Sequence, residues 1–484
     1  MANAAAIRNQ IDEVLSSYKL SNEQLEYVRD QMTQNLFNGL HGKKSSLKML
    51  PSFVRGIPNG KECGDFLALD LGGTNFRVLR VKLPEKSDDR VEVDSQVYMV
   101  PETTMRSTGE ELFDHIAECI EDFLTRHNLA DASLPLGFTF SFPCVQNGLD
   151  NSFLLRWTKG FNATGVVGKD LAGLLHEALE RRKLQSHLTY SVKVKAVIND
   201  TVGTMMTCAY TDHDCTIGMI VGTGSNACYM ESEADIKTLK KEQRLAGNGR
   251  MCINTEWGGF GENGSLESIR TDCDRAVDKE SINPGCMIFE KMISGMYMGE
   301  VVRYLLLNLV RQAGLFGGVA TDILKTKGKF LTAFVTQIEA DRSHQLKACS
   351  QILDCLGYAN TTLEERSVVR EACVNVSTRA ANLCASGVAA LVLRSRDIET
   401  KLPALGSGDA SRFRITVGVD GTVYKKHPRF RFLLSDKVSE LCPNCDVTFR
   451  QSSDGSGKGA ALVTAVACRL GENIEADFTT EDGG

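Results

Sequence analysis

The sequence predicts an α/β protein of two lobes around a cleft. Three observations lead there. Phe66-Leu67-Ala68-Leu69-Asp70-Leu71-Gly72-Gly73-Thr74-Asn75-Phe76-Arg77-Val78-Leu79 and Ile217-Gly218-Met219-Ile220-Val221-Gly222-Thr223-Gly224-Ser225-Asn226-Ala227-Cys228-Tyr229-Met230 repeat one device, an apolar run, a Gly/Thr/Asn turn and a second apolar run. Strand-like runs alternate with amphipathic stretches, as in mixed sheets flanked by helices. A chain of 484 residues is too long for one small core.

Each turn lets backbone N–H groups approach an anion, and its Thr adds a hydroxyl. A pair of them suggests two lobes gripping one polyphosphate. The second turn also fits G-x-G-x-x-A, but that dinucleotide fingerprint needs a helix next. Ala227–Met230 reads as a strand, so a nicotinamide cofactor is excluded.

The predicted strands are Phe66–Asp70, Val78–Lys82, Leu136–Phe140, Val192–Asn199, Ile217–Val221 and Ile415–Val419. Capping boxes at Ser21/Gln24, Thr108/Glu111 and Thr361/Glu364 open helices, the last running through Val376. Gly418–Tyr424 reads as a hairpin through its Asp-Gly turn. Residues 472–484 are acidic and Gly-ended, which predicts a frayed tail. No low-complexity linker divides the lobes, so they should share an interface and a hinge.

Charged residues make up 24% and apolar residues 42%, with net charge −6. Without a long basic run, nucleic acid is not expected as a partner. No apolar run reaches the roughly 18 residues of a membrane span. The N-terminus lacks a signal peptide's apolar core, and Asp12 and Glu13 argue against a presequence. The 16 cysteines are scattered, which reads as reduced thiols and a cytoplasmic location. Cys442-Pro443-Asn444-Cys445 stands without a second pair at zinc spacing. The eight histidines form no metal-binding spacing.

Asp200 follows a strand, where open α/β sheets place ligands, and Thr201 is positioned to cap the next helix. Asp200 is equally readable as a cap. Ser141-Phe142-Pro143 follows another strand and presents a hydroxyl on a rigid turn. In Trp157-Thr158-Lys159-Gly160-Phe161 a polar pair is bracketed by aromatics. That suits stacking on a sugar ring, or places Trp157 in the core with Lys159 solvated. Asn254-Thr255-Glu256-Trp257-Gly258-Gly259-Phe260-Gly261 combines a carboxylate with an aromatic and three glycines, a poor scaffold element but a good ligand loop. Glu290 opens a helix, where an acid is also favoured by the dipole. Ser453–Ala460 resembles a P-loop but fails its spacing at Ser452 and Gly459. Anion binding at that helix start remains open.

LDLGGTNFRV, FTFSFPC, LLRWTKGF, INDTVGT, VGTGSNACYME, NTEWGGFG and VGVDGTVYKKHP, in this order, identify the chain as resembling the ATP-dependent hexokinases of eukaryotes. The resemblance runs from about Ser21 to Leu470 and fits the single-unit members in length. It implies a two-lobed actin-like ATPase fold, with ribonuclease H-like mixed sheets flanked by helices around an inter-lobe cleft. It implies a small domain at 62–200 completed by the C-terminal helix 455–472, and a large domain at 201–454 with segment 1–61. The implied activity is phosphorylation of D-glucose, and of mannose and fructose, at the 6-hydroxyl, the first step of glycolysis.

By resemblance, Asp200 is the catalytic base acting on the sugar's 6-hydroxyl, and Lys159 is the second catalytic residue, able to neutralise the transferring phosphoryl group. Ser141, Phe142, Thr158, Lys159, Asn199, Asn226, Glu256 and Glu290 match sugar-binding positions. Asp70, Leu71, Gly72, Gly73, Thr74, Asn75 and Arg77 match the first phosphate segment, and Thr223 and Gly224 the second. Gly295, Thr332, Thr336, Gly418, Asp420, Gly421 and Thr422 match nucleotide-binding positions. Met296 stands where some relatives have Lys. Mg²⁺ would arrive as MgATP, without direct protein ligands, oriented by Asp70 through water. Closure on sugar would exclude water as acceptor. The chain is expected as a monomer or homodimer. A non-catalytic sugar sensor on the same fold, or a broader sugar or acid kinase, is the rival reading.

Overall fold

A computed structural model describes residues 2–73, 75–85, 91–186, 188–244, 249–401 and 412–480. Its two large sheets repeat one topology. In the five-stranded sheet the order is Glu92–Met99, Asn75–Leu83, Gly64–Leu71, Ser133–Phe140, Ser191–Ile198. The first three form an antiparallel meander and the last two continue in parallel. The six-stranded sheet runs Leu50–Pro51, Arg250–Asn254, Ser225–Ser232, Cys215–Val221, Phe413–Asp420, Cys445–Gln451. Leaving out the two-residue edge strand, it shows the same order and the same antiparallel-then-parallel sequence.

The sequence accounts for this pattern. Parallel strands are covered on both faces and read as continuous apolar runs. In Phe413–Asp420, residues 415–419 are all buried, and Ser133–Phe140 is buried over its last five residues. The edge strand Glu92–Met99 alternates and is open on one side. The fifth strand of each sheet feeds a helix, Asp200–Ala209 in one case and Gly455–Thr480 in the other. These helices cross between the sheets, and glycines make the crossing close. A Cβ on Gly459 would lie 2.2 Å from the Gly203 Cα, and one on Gly203 would meet the Gly455 carbonyl at 2.9 Å. Gly137, on the central parallel strand, has the same relation to the Ala460 carbonyl, at 2.2 Å.

Capping at Ser21/Gln24 and Thr108 is as expected. The third box is shifted by one residue. Thr362 and Glu365 form it, while Thr361 is buried and accepts from Arg366. The helix that follows continues past Val376 to Lys401. Asn199, not Thr201, caps the Asp200 helix, through its Oδ1 and the Thr201 N–H at 2.9 Å. Thr201 is the second residue of the helix, fully buried, and its Oγ1 donates to the same Asn199 Oδ1 at 2.6 Å. The Asp420-Gly421 hairpin is also corrected. Phe413–Asp420 is flanked by parallel strands on both sides, so the chain leaves through a helix, Thr422–Lys426. The C-terminal helix extends to Thr480, through the segment expected to fray.

The long helix Leu363–Lys401 is apolar and long enough to cross a membrane, but 83% of its most apolar window is buried inside the protein. Cys119, Cys208 and Cys373 are buried, and all 16 cysteines are free. Cys442 and Cys445 close a turn through the Cys445 N–H and Cys442 carbonyl, with no metal cluster of His, Cys, Asp or Glu among the described residues.

Overpacking a contact this tight costs about 1–3 kcal/mol. Gly459→Ala should lose at least that much in denaturant unfolding, whereas Gly471→Ala, which meets nothing within 4 Å, should cost far less. Equal stability of Gly459→Ala and wild type would contradict the close crossing.

Candidate active site

The repeated topology brings equivalent points of the two sheets to one cleft. A cavity of about 520 Å³ is lined by Asp70 and Gly72 from the first hairpin, Ser141 after a fourth-position strand, and Asp200 at a helix start. The second sheet contributes their counterparts, Ile220, Asp420 and Gly421, and Asp454 to Ser456. Arg77, Lys159, Thr204 and Lys425 complete the wall.

Asp70 Oδ2 accepts from Arg77 Nη2 and from Ser456 Oγ, both at 2.7 Å. Arg77 also pairs with Asp454 at 2.6 Å. Partial burial opposes the Arg77 charge, but the two aspartates outweigh it and its pKa is raised. This places a fixed cation beside the first glycine turn, where phosphate oxygens would need one. Ser456 and Asp454 were not assigned a role from the sequence. Their signal was the near-P-loop, whose helix start does face the cavity. Lys425, which pairs with Asp420 at 2.5 Å, was missed as well.

Asp200 is half-buried. Burial raises its pKa, Lys159 opposes this, and Asp70 and Glu256 add to it. Lys159 donates to the Ser141 carbonyl at 2.8 Å and lies 5.3 Å from the Phe142 ring centroid. Lys159, Glu256 and Asp454 all hold left-handed backbone, with φ of 57°, 51° and 64°. Strain of that kind, on non-glycine residues, gathers at functional sites.

A second group of polar side chains lies beside Asp200. Asn226 Nδ2 donates to Asn254 Oδ1 at 2.9 Å, to Glu256 Oε1 at 3.3 Å and to Asn199 Oδ1 at 3.4 Å. Asn254 Nδ2 donates to Glu256 Oε1 at 2.8 Å. Asn254 is a further residue the sequence reading left without a role. Glu290 Oε2 accepts from the Ser225 N–H at 2.8 Å, and Gly224 leaves it room, since a Cβ there would sit at 2.6 Å. Burial pushes the Glu290 carboxyl up to about 7, with Glu256 adding and Ser225 and Lys159 opposing.

Not every expected residue presents its side chain. Leu71 and Phe142 are buried, so a ligand can meet only their backbone. Trp157 belongs to the core reading. It stacks on Phe161 at 5.3 Å, packs against Phe140 and Phe142, and donates to the Ala163 carbonyl. Gly418 faces Cys208 on the Asp200 helix, where a Cβ would lie at 3.0 Å. Gly73 is open, Asn75 is exposed where its strand begins, and Thr158 is half-buried. Thr74 lies outside the described residues. Thr223, Gly295, Thr332, Thr336 and Thr422 line a separate cavity of about 390 Å³, together with exposed Met296. It adjoins the first through Gly421 and Thr422.

Two hexokinase family models match the chain, one over residues 10–210 and the other over residues 216–466. This chain belongs to the hexokinase family. It is 50% identical to mouse hexokinase HKDC1 over 468 residues and to human hexokinase-3 over 471, covering 96% and 97% of this chain. It spans about half the length of these curated relatives, 48% in both cases. The structure of Schistosoma mansoni hexokinase complexed with glucose is similar at 40% identity and TM-score 0.82, covering 96% of this chain and 99% of that one. A second hexokinase crystal structure matches at 32% identity and TM-score 0.79, covering 96% and 100%.

Hexokinase membership implies the use of MgATP. The donor set fits an ion carried in by phosphates. Among the described residues no group of three ligating side chains could hold a metal alone, and Asp70 commits Oδ2 to Arg77 and Ser456.

The raised Glu290 pKa has a consequence for stability. Its folded value, about 7, lies above the ordinary 4.5, so ionisation favours the unfolded chain. The penalty is absent below pH 4.5, grows between 4.5 and 7, and is full above 7. Glu290→Gln keeps an acceptor for Ser225 and removes the charge. Denaturant unfolding should show the variant gaining on wild type from pH 5 to pH 8. A pH-independent difference would contradict the burial of this charge.

Proposed function

We propose that this chain transfers the γ-phosphoryl group of MgATP to the 6-hydroxyl of a hexose, D-glucose first, with mannose and fructose as further acceptors. This would be the first step of glycolysis, and the free thiols fit a cytoplasmic setting. The observation that carries the reading is the Asp200 carboxylate. It stands between a cavity lined by Gly72 of the first glycine turn together with Gly421 and Ser456 of the second sheet, and an Asn/Glu cluster suited to sugar hydroxyls.

In this reading Asn199, Asn226, Glu256 and Glu290 hold ring hydroxyls, with Ser141, Thr158, Lys159 and the Phe142 backbone closing the other side. Asp200 takes the proton of the 6-hydroxyl as its oxygen bonds to phosphorus and ADP leaves. Its pKa, raised by burial, makes it a better base. Lys159 offsets charge on the transferring group, and general-base help is worth roughly 10²–10⁴-fold. Gly72, Gly73, Thr74, Thr223 and Gly224 offer phosphate donors, with Arg77 fixed by Asp70 and Asp454. The larger part of the nucleotide would lie along Gly295, Thr332, Thr336 and Thr422. Bound magnesium would neutralise charge on the phosphate oxygens.

We divide the chain accordingly into a small lobe, 62–200 with 455–472, and a large lobe, 201–454 with 1–61. Each would carry one sheet and one phosphate turn.

A coupled assay of ADP release with glucose and MgATP tests the activity. Asp200→Ala, purified and folded, should lose at least roughly 10²-fold in kcat. Retention of more than about a tenth of wild-type kcat would rule out Asp200 as the base. A wild type that binds glucose without turnover would make the chain a sugar sensor.

A further inference from the structure

The cavity of about 390 Å³ has two side walls on different elements. Helix Thr332–Ala340 presents Thr332, Thr336 and Gln337. The short helix Thr422–Lys426 and its following residue present Thr422, Lys426 and His427. The first wall is pinned at its start. Thr332 Oγ1 donates to the Gly295 carbonyl at 2.6 Å and accepts from the Gly299 N–H at 2.9 Å.

At its other end, the wall is tied through Glu339. This carboxylate is fully buried and accepts from His427 Nε2 and Arg429 Nη1, both at 3.2 Å, and from Ser377 Oγ at 2.5 Å. His427 Nδ1 accepts the N–H groups of Arg429 and Phe430, at 3.3 and 3.2 Å. That assigns its proton to Nε2, as donor to Glu339. Arg429 also donates to Thr378 Oγ1 at 2.9 Å. One carboxylate therefore joins the first wall, the second wall and the long core helix.

Burying such a group is expensive, and an apolar contact of similar volume would hold two helices at least as well. Hydrogen bonds differ from apolar packing in fixing distance and direction. With the His427 side chain almost fully buried, a ligand in the cavity would meet the walls rather than the bonds behind them.

We propose that Glu339 and His427 are positioning residues for the nucleotide, which set the separation of the two cavity walls and thereby the affinity for ATP. This rests on reading the cavity as the nucleotide's. The pair lies behind the large-lobe pocket, so it should govern ATP and leave sugar binding alone.

The test is steady-state kinetics on the purified full chain, with each substrate varied while the other is saturating, and a thermal midpoint for each variant. His427→Ala should raise the KM for MgATP about tenfold, with kcat and the glucose KM moving less than about threefold. His427→Gln, which keeps a donor and an acceptor, should return the ATP KM to within about threefold of wild type. A folded His427→Ala with its ATP KM within about twofold of wild type would overturn the proposal, as would a glucose KM rising in proportion. Should His427→Ala not fold, the near-isosteric Glu339→Gln carries the same expected split, and an unshifted ATP KM there would overturn it too. A wild type that binds no MgATP would instead sink the functional reading.

Discussion

Two helices cross between the sheets with no side chain separating Gly203 from Gly459. The rest of the architecture depends on that contact. Each helix is the continuation of the fifth strand of its own sheet, so the crossing sets how the sheets face each other. It also brings the start of one helix, with Asp200, to the same cavity as the start of the other, with Ser456. The first glycine turn reaches that cavity through Gly72, the second hairpin reaches it through Ile220, and Thr223 of the second turn faces the adjoining cavity. The site is assembled from matched positions, with different chemistry at each. The first sheet supplies Asp70, Ser141 and Asp200, and the second supplies Gly421, Asp454 and Ser456.

Charge sets the chemistry of the cleft. Asp70 and Glu256 add to the raised pKa of Asp200, Glu256 adds to that of Glu290, and Lys159 opposes both. Two raised carboxyls with different surroundings can take different roles. Asp200 opens on the cavity that Asp70, Gly72 and Ser456 also line. Glu290 is held by a backbone N–H, with the Asn226–Asn254–Glu256 cluster beside it. Exclusion of water would strengthen each of these interactions.

Much of this was legible in the sequence because turn chemistry is local. Gly72-Gly73 and Gly222-Thr223-Gly224 announce hairpins through apolar runs on both sides, and Ala227–Met230 settles that a strand follows. Asn-Asp at 199–200 marks a strand end, although the helix begins earlier than expected, so that Asn199 caps it and Thr201 lies buried inside it. The Asp420-Gly421 turn misled for a non-local reason. The same dipeptide makes a hairpin when the next partner is antiparallel, and here strands far apart in sequence occupy both sides. Trp157 was ambiguous because an aromatic beside polar residues serves a sugar face or a core equally well. Glu339 and His427 carried no local signal, since their importance comes from a contact across 88 residues.

If phosphate donors lie on two lobes, they form one site only when the lobes approach, and the sugar should drive that approach. Small-angle scattering on the free protein, with saturating glucose and with MgATP alone, measures it directly. The account predicts a smaller radius of gyration with glucose and no comparable change with MgATP alone. Superimposable profiles with and without glucose would contradict it.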